Sequence, residues 1–389
     1  MSLTPIANFV MNGTQVAKAS ALPPMGALSS HVLCLVGTAP TKASELPYNE
    51  ATRLDSYQHA MTLLNPSGGY DGTLPAVVEY IMTRAQTTLY VIVVEQGSSD
   101  GETLANIIGS ASDDGVATGI YKIPECAETP TIVYAPAFSD VPLGQKLAQI
   151  AAKVKAFPIV DCPDTTKQAA AEFSGSFGGV DTVEEAVHVA FPSGLYKLNG
   201  TGETAIIPAG ARLVAAMANV KMWQSPQSQL DGCENSIPVA YSPTDETSEH
   251  NFLNRHGVYT FCKSPNGGVI CVGNRAHSGT FTPSIGLDLA MARKLVQTSE
   301  IYKGRMMTRP FVEALVARLN SWIKTLKLDG CIIDASVDVS ERNTSDTYRS
   351  GSFYISLNKG GYSPLEHFHV TLADDVTIVE KYVQELVSL

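Results

Sequence analysis

The sequence has 389 residues, of which 44% are hydrophobic and 17% are charged, and its formal net charge is −11. This length allows two or three domains with sizeable cores. The acidic balance argues against nucleic acid as a main partner, because binding to phosphates requires a basic surface. No apolar run is long enough to predict a membrane-spanning helix. The first residues also lack the basic and apolar regions of a secretory signal, so we expect no export by that route.

The first segment, residues 1–30, shows no sustained hydrophobic period. Proline and glycine interrupt its short apolar runs, a pattern that predicts an extended N-terminal arm with little core of its own.

Residues 31–245 alternate apolar strand patterns with helical patterns. This alternation predicts an α/β domain built on a largely parallel sheet. The predicted strands are 32–39, 88–94, 131–135, 158–160 and 187–191. The predicted helices are 53–64, 76–84, 102–108, 143–155, 165–173 and 211–222. A polar stretch at 224–250 follows, and we interpret it as the connection to the C-terminal part of the chain.

Residues 246–389 predict an α+β domain. Two apolar runs around the turn at 264–267 indicate a hairpin. A proline after Thr308 is typical of a helix start, and Asp329-Gly330 is typical of a helix end. Between them, large apolar residues recur at helical spacing and form one broad arc. The arc comprises Phe311, Val312, Leu315, Val316, Leu319, Trp322, Ile323 and Leu326.

Three stretches after this helix alternate apolar and polar residues, the period of a half-buried strand. The first places Ile333, Ala335, Val337 and Val339 on one face. The second lies around 353–357. The third contains Phe368, Val370 and Leu372.

The order of these elements resembles a known family. The hairpin ends in Gly273-Asn274-Arg275 and is followed by a helical stretch, the amphipathic helix and the alternating strands. This order is similar to that of the C-terminal domain of contractile phage tail sheath proteins and R-type pyocin sheaths. The α/β part matches more loosely, at Gly37-Thr38-Ala39, Ala135-Pro136, Pro208-Ala209-Gly210, Trp223 and Ser225-Pro226.

The resemblance implies a structural subunit that stacks as hexameric rings around a tail tube. Contraction of the sheath would drive the tube through a bacterial envelope. The implied partners are other copies of the chain, the tube protein, and baseplate and tail-terminator proteins, without cofactor or membrane insertion. The implied location is the virion tail, assembled in the host cytoplasm. The implied arrangement inserts an outer α/β domain between the arm and an inner C-terminal domain, and the strand with Phe368, Val370 and Leu372 pairs with a neighbouring subunit.

The candidate catalytic and metal-binding patterns are weak. The glycines at 67–72 lack the lysine of a phosphate-binding loop. Residues 174–178 differ from a nucleophile elbow at the first glycine, and they follow a helix rather than a strand. Asp334 and Asp338 are separated by four residues of one strand, about 13 Å, too far for a carboxylate pair. His367 and His369 lack a third ligand. We therefore predict no catalytic, cofactor or metal site.

The seven cysteines are scattered, and none form a Cys-x-x-Cys pair. Several lie in apolar strand patterns, where a thiol packs as a small hydrophobic group. We predict reduced core cysteines and no zinc site.

Positive charges are concentrated between residues 291 and 328. Their surface could be an ordinary solvated helix face, or it could meet an acidic partner. The resemblance favours the second reading, because this domain lines the inside of a sheath. The predicted tube-facing residues are Arg305, Arg309, Arg318, Lys324 and Lys327. The alternative function, which the sequence leaves open, is an α/β enzyme or ligand-binding protein with an appended α+β domain.

Overall fold

The computed structural model of the protein describes residues 25, 28, 31–112 and 114–388. The predicted N-terminal arm therefore lies outside the described residues, except for Met25 and Leu28. Both of these side chains pack against the apolar cluster around the long C-terminal helix.

Fourteen strands are present in the described part of the chain. They are β1 (Val32–Thr38), β2 (Ala51–Leu54), β3 (Thr88–Val94), β4 (Ile132–Tyr134), β5 (Phe157–Asp161), β6 (His188–Ala190), β7 (Gly194–Lys197), β8 (Thr204–Ile207), β9 (Leu230–Asp231), β10 (Glu234–Asn235), β11 (Val258–Lys263), β12 (Val269–Val272), β13 (Ile332–Val339) and β14 (Ile355–Gly361).

Eleven α-helices accompany them in the same part of the chain, with one 3₁₀ helix at Gly119–Glu125. They are α1 (Tyr57–Leu64), α2 (Pro75–Arg84), α3 (Asp100–Ile108), α4 (Val141–Val154), α5 (Lys167–Ser174), α6 (Ala209–Ala218), α7 (Glu249–Arg255), α8 (Thr282–Ser299), α9 (Arg309–Leu328), α10 (Ser345–Arg349) and α11 (Val376–Val387).

The central feature is a nine-stranded sheet with the order β2-β3-β1-β4-β5-β6-β11-β12-β9. The six strands from β3 to β11 are parallel, and β2, β12 and β9 join antiparallel at the edges. This confirms the predicted parallel α/β sheet. Alternate residues of β1 enter two apolar clusters, with Leu33 and Leu35 in one and Cys34 and Val36 in the other. Helices cover both faces, which explains the continuous apolar runs.

The predicted hairpin forms, but it does not belong to a separate C-terminal sheet. Strand β11 pairs in parallel with β6, with Val258 opposite Val189, and β12 follows beside it. The large sheet therefore continues across the predicted domain boundary at 245/246. The mixed α/β and α+β content is as expected, whereas the C-terminal α+β unit consists of fewer elements than the sequence suggested. A small sheet of β10, β7 and β8 was not anticipated.

The predicted amphipathic helix is α9, with the expected bounds. Its apolar arc packs between α8, through Leu287 and Met291, and a two-stranded antiparallel sheet of β13 and β14. The predicted strand face is wrong at one end, because an irregularity between Ile332 and Asp334 shifts the register. Ile332 is consequently buried and Ile333 is 55% exposed.

The third predicted C-terminal strand is not formed within the single chain. Phe368, Val370 and Leu372 lie in an irregular exposed segment that joins β14 to α11. Helix α11 was not predicted. By contrast, all seven cysteines are free and buried, as expected of core thiols.

Candidate assembly surfaces

The catalytic patterns weighed in the sequence have structural roles here. The Ser174 hydroxyl donates a hydrogen bond to the carbonyl of His256, at 2.7 Å. Asp334 forms an ion pair with Lys327. The exposed rings of His367 and His369 stack on each other with their centroids 6.1 Å apart. Within the residues that the structure describes, no cluster of three or more His, Cys, Asp or Glu side chains could hold a metal ion, and no helix is long and apolar enough to cross a membrane.

The end of strand β5, where an α/β sheet often binds a ligand, is closed by its own side chain. Asp161 accepts hydrogen bonds from the Tyr134 hydroxyl at 2.8 Å and from the amides of Ala137 and Gly210. Gly210 lies in the first turn of α6, so the carboxylate occupies the position that an anionic ligand would take. Burial raises the pKa of Asp161 to about 6.

A second buried polar group joins the nine-stranded sheet to the small sheet of β10, β7 and β8. The Arg212 guanidinium donates to Asp231, to Asn235 at 2.8 Å and to the carbonyl of Pro192, and it stacks on Phe261 at 3.8 Å. Because Asp231 balances the charge of Arg212 and both side chains are buried, this cluster also has a structural role.

The five predicted tube-facing residues differ in their surroundings. Arg309 pairs with Glu313 on its own helix at 2.8 Å, and Lys327 pairs with Asp334 at 2.8 Å. Arg318 is only half-exposed, since its Nη1 donates to the Tyr302 hydroxyl at 2.7 Å. Among the described residues, Arg305 and Lys324 are exposed and have no ion-pair partner.

Arg293, one of the basic residues counted in this region, is not on the surface. Its side chain is buried, and it donates hydrogen bonds to the carbonyls of Thr129 and Pro130 at 2.5 Å and of Val154 at 2.9 Å. The exposed basic surface is therefore smaller than the count of charges indicated.

The sheet of β13 and β14 leaves main-chain groups free to pair. Each strand has only the other as a partner in the described part of the chain, so both outer edges are open. Helix α9 covers one face of the pair, through Ala335, Val337, Ile355 and Leu357. Open edges of this length are templates for pairing with another chain.

The C-terminal tail, residues 362–388, is exposed almost throughout. Phe368 is 80% exposed and Leu372 is 92% exposed. Helix α11 adds Val379, Tyr382, Val383 and Leu386, which recur at helical spacing. Large apolar side chains left in water at this density indicate a surface that another molecule covers.

The predicted family motif lies where the hairpin meets α8. Gly273 has a φ of +143°, and a Cβ there would lie 2.8 Å from the Tyr259 ring. The side chain of Asn274 hydrogen-bonds to the Ser225 hydroxyl, and its carbonyl accepts from the amide of Thr282 at 2.8 Å. The motif thus joins β12 to the start of α8.

Arg275 has a different role, because it contacts the tail. Its guanidinium forms an ion pair with Glu366 at 2.8 Å. Sequence patterns gave no signal for this contact, since the two residues are separated by 91 positions. Helix α11, in contrast, has an apolar period that is legible in the sequence.

Comparisons with known proteins agree on one class. No protein-family model matches the sequence. The chain is 24% identical over 377 residues to a protein of Pseudomonas aeruginosa (strain UCBPP-PA14) named "Putative prophage major tail sheath protein", covering 92% of this chain and 94% of that protein.

Solved structures with a similar fold include two sheaths in the contracted state. The sheath complex of the extracellular contractile injection system PVC has a TM-score of 0.71 and 15% identity, covering 96% of this chain and 100% of that one. The helical sheath of the anti-feeding prophage has a TM-score of 0.66 and 14% identity, with the same coverage.

Proposed function

We infer that this chain belongs to the contractile tail sheath family and is a structural subunit of a contractile sheath. The similarity in sequence and fold extends over nearly the whole chain. The observation that carries the proposal is the incomplete pairing in the described part of the chain, namely the open edges of β13 and β14 and the exposed apolar tail. An enzyme or a monomeric binding protein does not need such surfaces for its function, whereas a polymer needs them for contacts between subunits.

The assembly we propose is helical, with subunits stacked as hexameric rings around a tail tube. Contacts between unlike surfaces that do not close on themselves propagate in this way. The tail segment with Phe368, Val370 and Leu372 would add a strand to the small sheet of a neighbouring copy. Main-chain hydrogen bonds of this kind survive while rigid bodies rotate, so the lattice can shorten without separating.

The orientation we propose places the α/β part outward and α9 toward the tube. Arg305 and Lys324 are then the charges that meet the tube surface directly, with Arg309, Arg318 and Lys327 beside them. Contraction would push the tube through a bacterial envelope. Baseplate and tail-terminator proteins would bound the sheath, and assembly would take place in the host cytoplasm. The N-terminal arm would contribute a further exchanged strand.

Negative-stain microscopy of the purified protein tests the polymer proposal. We expect tubes, or rings that stack into tubes, above a threshold concentration. A monomer at all concentrations, with thermal stability that depends on a small ligand, would contradict the sheath proposal and favour the α/β enzyme or binding protein.

The proposed tube surface is tested by reversing the charges of Arg305 and Lys324 to glutamate. Neither residue belongs to the apolar arc or to an ion pair of the described residues, so the subunit should fold normally. Each charge contributes about 1 kcal/mol or less at a wet interface, but the effect repeats in every subunit. We expect the double variant to assemble more weakly on tubes. Raised salt should also weaken the assembly of the unmodified protein on tubes.

Lys146→Glu together with Lys153→Glu is the matched control, because it also reverses two exposed charges, both on α4 in the α/β part. It should leave assembly unchanged. Normal assembly of the Arg305 and Lys324 double variant on tubes, at low and high salt alike, would show that the basic face is merely solvated.

A further inference from the structure

The base of the C-terminal tail forms a charged contact with the body of the subunit. Arg275 Nε lies 3.1 Å from Glu366 Oε1, and Nη2 lies 2.8 Å from Oε2, so both carboxylate oxygens are engaged. The side chain of Glu366 is only 23% exposed, while Leu365 beside it is 73% exposed. Past Glu366 the tail stands over a groove of about 880 Å³, whose body side includes Tyr241, His250 and Asn254.

Arg275 is fixed before it meets the carboxylate. Its guanidinium stacks on the ring of Phe281 with 3.8 Å to the centroid, and its Nη1 donates to the carbonyl of Gly279 at 2.8 Å. A bridge between the backbones of Arg275 and Phe281 closes the same turn. A planar guanidinium held in this way presents a fork that matches a carboxylate in one orientation, which a lysine could not do.

We propose that the Arg275–Glu366 pair is a positioning clamp that sets the direction in which the tail leaves the subunit, so that it meets the neighbouring copy. This inference rests on the proposed function, since it concerns the tail that the sheath would exchange. A tail free at its base would sample many directions, and losing them on pairing costs conformational entropy. Fixing the base lowers that cost before the neighbour arrives.

The clamp acts on assembly and not on folding. Arg275 and Glu366 are both partly exposed, and the tail beyond them contributes no side chain to the three apolar clusters of the described residues. Loss of the Glu366 carboxylate should therefore change the concentration at which subunits polymerise, while the melting temperature of the dispersed subunit stays the same.

A double-mutant cycle on the full chain tests the clamp, with polymer measured by sedimentation. We expect Glu366→Gln and Arg275→Met each to raise the critical concentration about fivefold, the upper range for an exposed ion pair. Because Arg275→Met already removes the contact that Glu366→Gln weakens, the double variant should be no worse than Arg275→Met alone. Raised salt should weaken polymerisation of the unmodified protein more than polymerisation of the Glu366→Gln variant. Glu380→Gln is the control, since it removes an equal charge from α11 of the same tail.

The outcomes separate the clamp from the sheath proposal. If the unmodified protein forms tubes but Glu366→Gln polymerises at the same concentration, the clamp is wrong and the sheath proposal stands. Additive effects of the two substitutions would also overturn it, because they would act independently. If the unmodified protein never polymerises, the proposed function fails and the clamp with it.

Discussion

Replacement of Arg293 by methionine should destabilise the subunit by separating α8 from the α/β layer. The side chain is buried and donates to three main-chain carbonyls, and one of them, Val154, belongs to the last turn of α4, where carbonyls lack helical partners. Hydrogen bonds from a charged group contribute roughly 2 kcal/mol each, which gives about 6 kcal/mol for three.

Part of this loss is offset, because methionine removes a charge that is costly to bury. Burial lowers the pKa of Arg293 to about 10. At about 1.4 kcal/mol for each pKa unit, removing the buried charge avoids a free-energy cost of about 3 kcal/mol. The expected net loss is therefore about 3 kcal/mol in the free energy of unfolding.

Urea denaturation of the dispersed subunit measures this loss. The control is Lys294→Met, which removes the neighbouring positive charge on α8, a residue with no ion pair or side-chain hydrogen bond among the described residues. It should change the free energy of unfolding by less than about 0.5 kcal/mol. If Arg293→Met lowers the free energy of unfolding by less than about 1 kcal/mol, the reasoning is refuted. Either the carbonyls then find other donors, or burying the charge costs about as much free energy as its hydrogen bonds contribute.

Two further outcomes follow from buried positions. Burial lowers the pKa of His188 from 6.5 to about 4, so between these values the unfolded chain binds a proton that the folded chain does not. The contribution of His188 to stability should fall by up to about 3 kcal/mol as pH is lowered through that window. A His188→Phe variant, measured by pH-dependent denaturation, should therefore lose less stability between pH 6.5 and 4 than the unmodified protein does; an equal loss would contradict this. A Cβ at Gly286 would lie 1.7 Å from the carbonyl oxygen of Met222, so Gly286→Ala should give little soluble protein, whereas Gly101→Ala, in open space on α3, should gain about 0.5 to 1 kcal/mol in thermal denaturation. Equal melting temperatures for these two variants would show that α8 can shift away from Met222.

The elements with strong local periods could be predicted from the sequence. Helix α9 has an apolar arc at helical spacing with a proline at its start, and strands β1 and β3 are uninterrupted apolar runs. These signals depend on residues within a few positions of each other. The predicted elements form in the structure because each element buries the residues that its own sequence pattern makes apolar.

Pairing between distant segments could not be predicted in the same way. The hairpin of β11 and β12 is legible, but nothing in it shows that Val258 will lie opposite Val189 in the large sheet. The burial of Arg293 depends on carbonyls of one loop and of the last turn of α4, which are more than a hundred positions away. The irregularity beside Ile333 likewise depends on the register of β14.

The candidate surfaces divide along the same line. Arg309, Arg318 and Lys327 were predicted from the charge pattern of one helix. Glu313 lies four positions from Arg309 on that helix, whereas the partners of Arg318 and Lys327, Tyr302 and Asp334, become apparent only in the fold. The alternation at Phe368, Val370 and Leu372 is that of a strand, yet the described part of the chain supplies no partner for it. Its pairing with a neighbour remains a prediction.

The burial of α9 follows a gradient along its length. Leu319, Trp322, Ile323 and Leu326 are fully buried, whereas the first half of the apolar arc is only half-buried. The preceding loop leaves Met306 82% exposed. A two-stranded sheet is marginal in water by itself, and here it depends on one face of this helix. Within the described residues, this region therefore has neither further strand partners nor complete apolar cover, and one neighbouring copy could supply both. Ordering of this end of the subunit would then be coupled to assembly, and the lattice would be held by contacts that the described part of the chain does not complete.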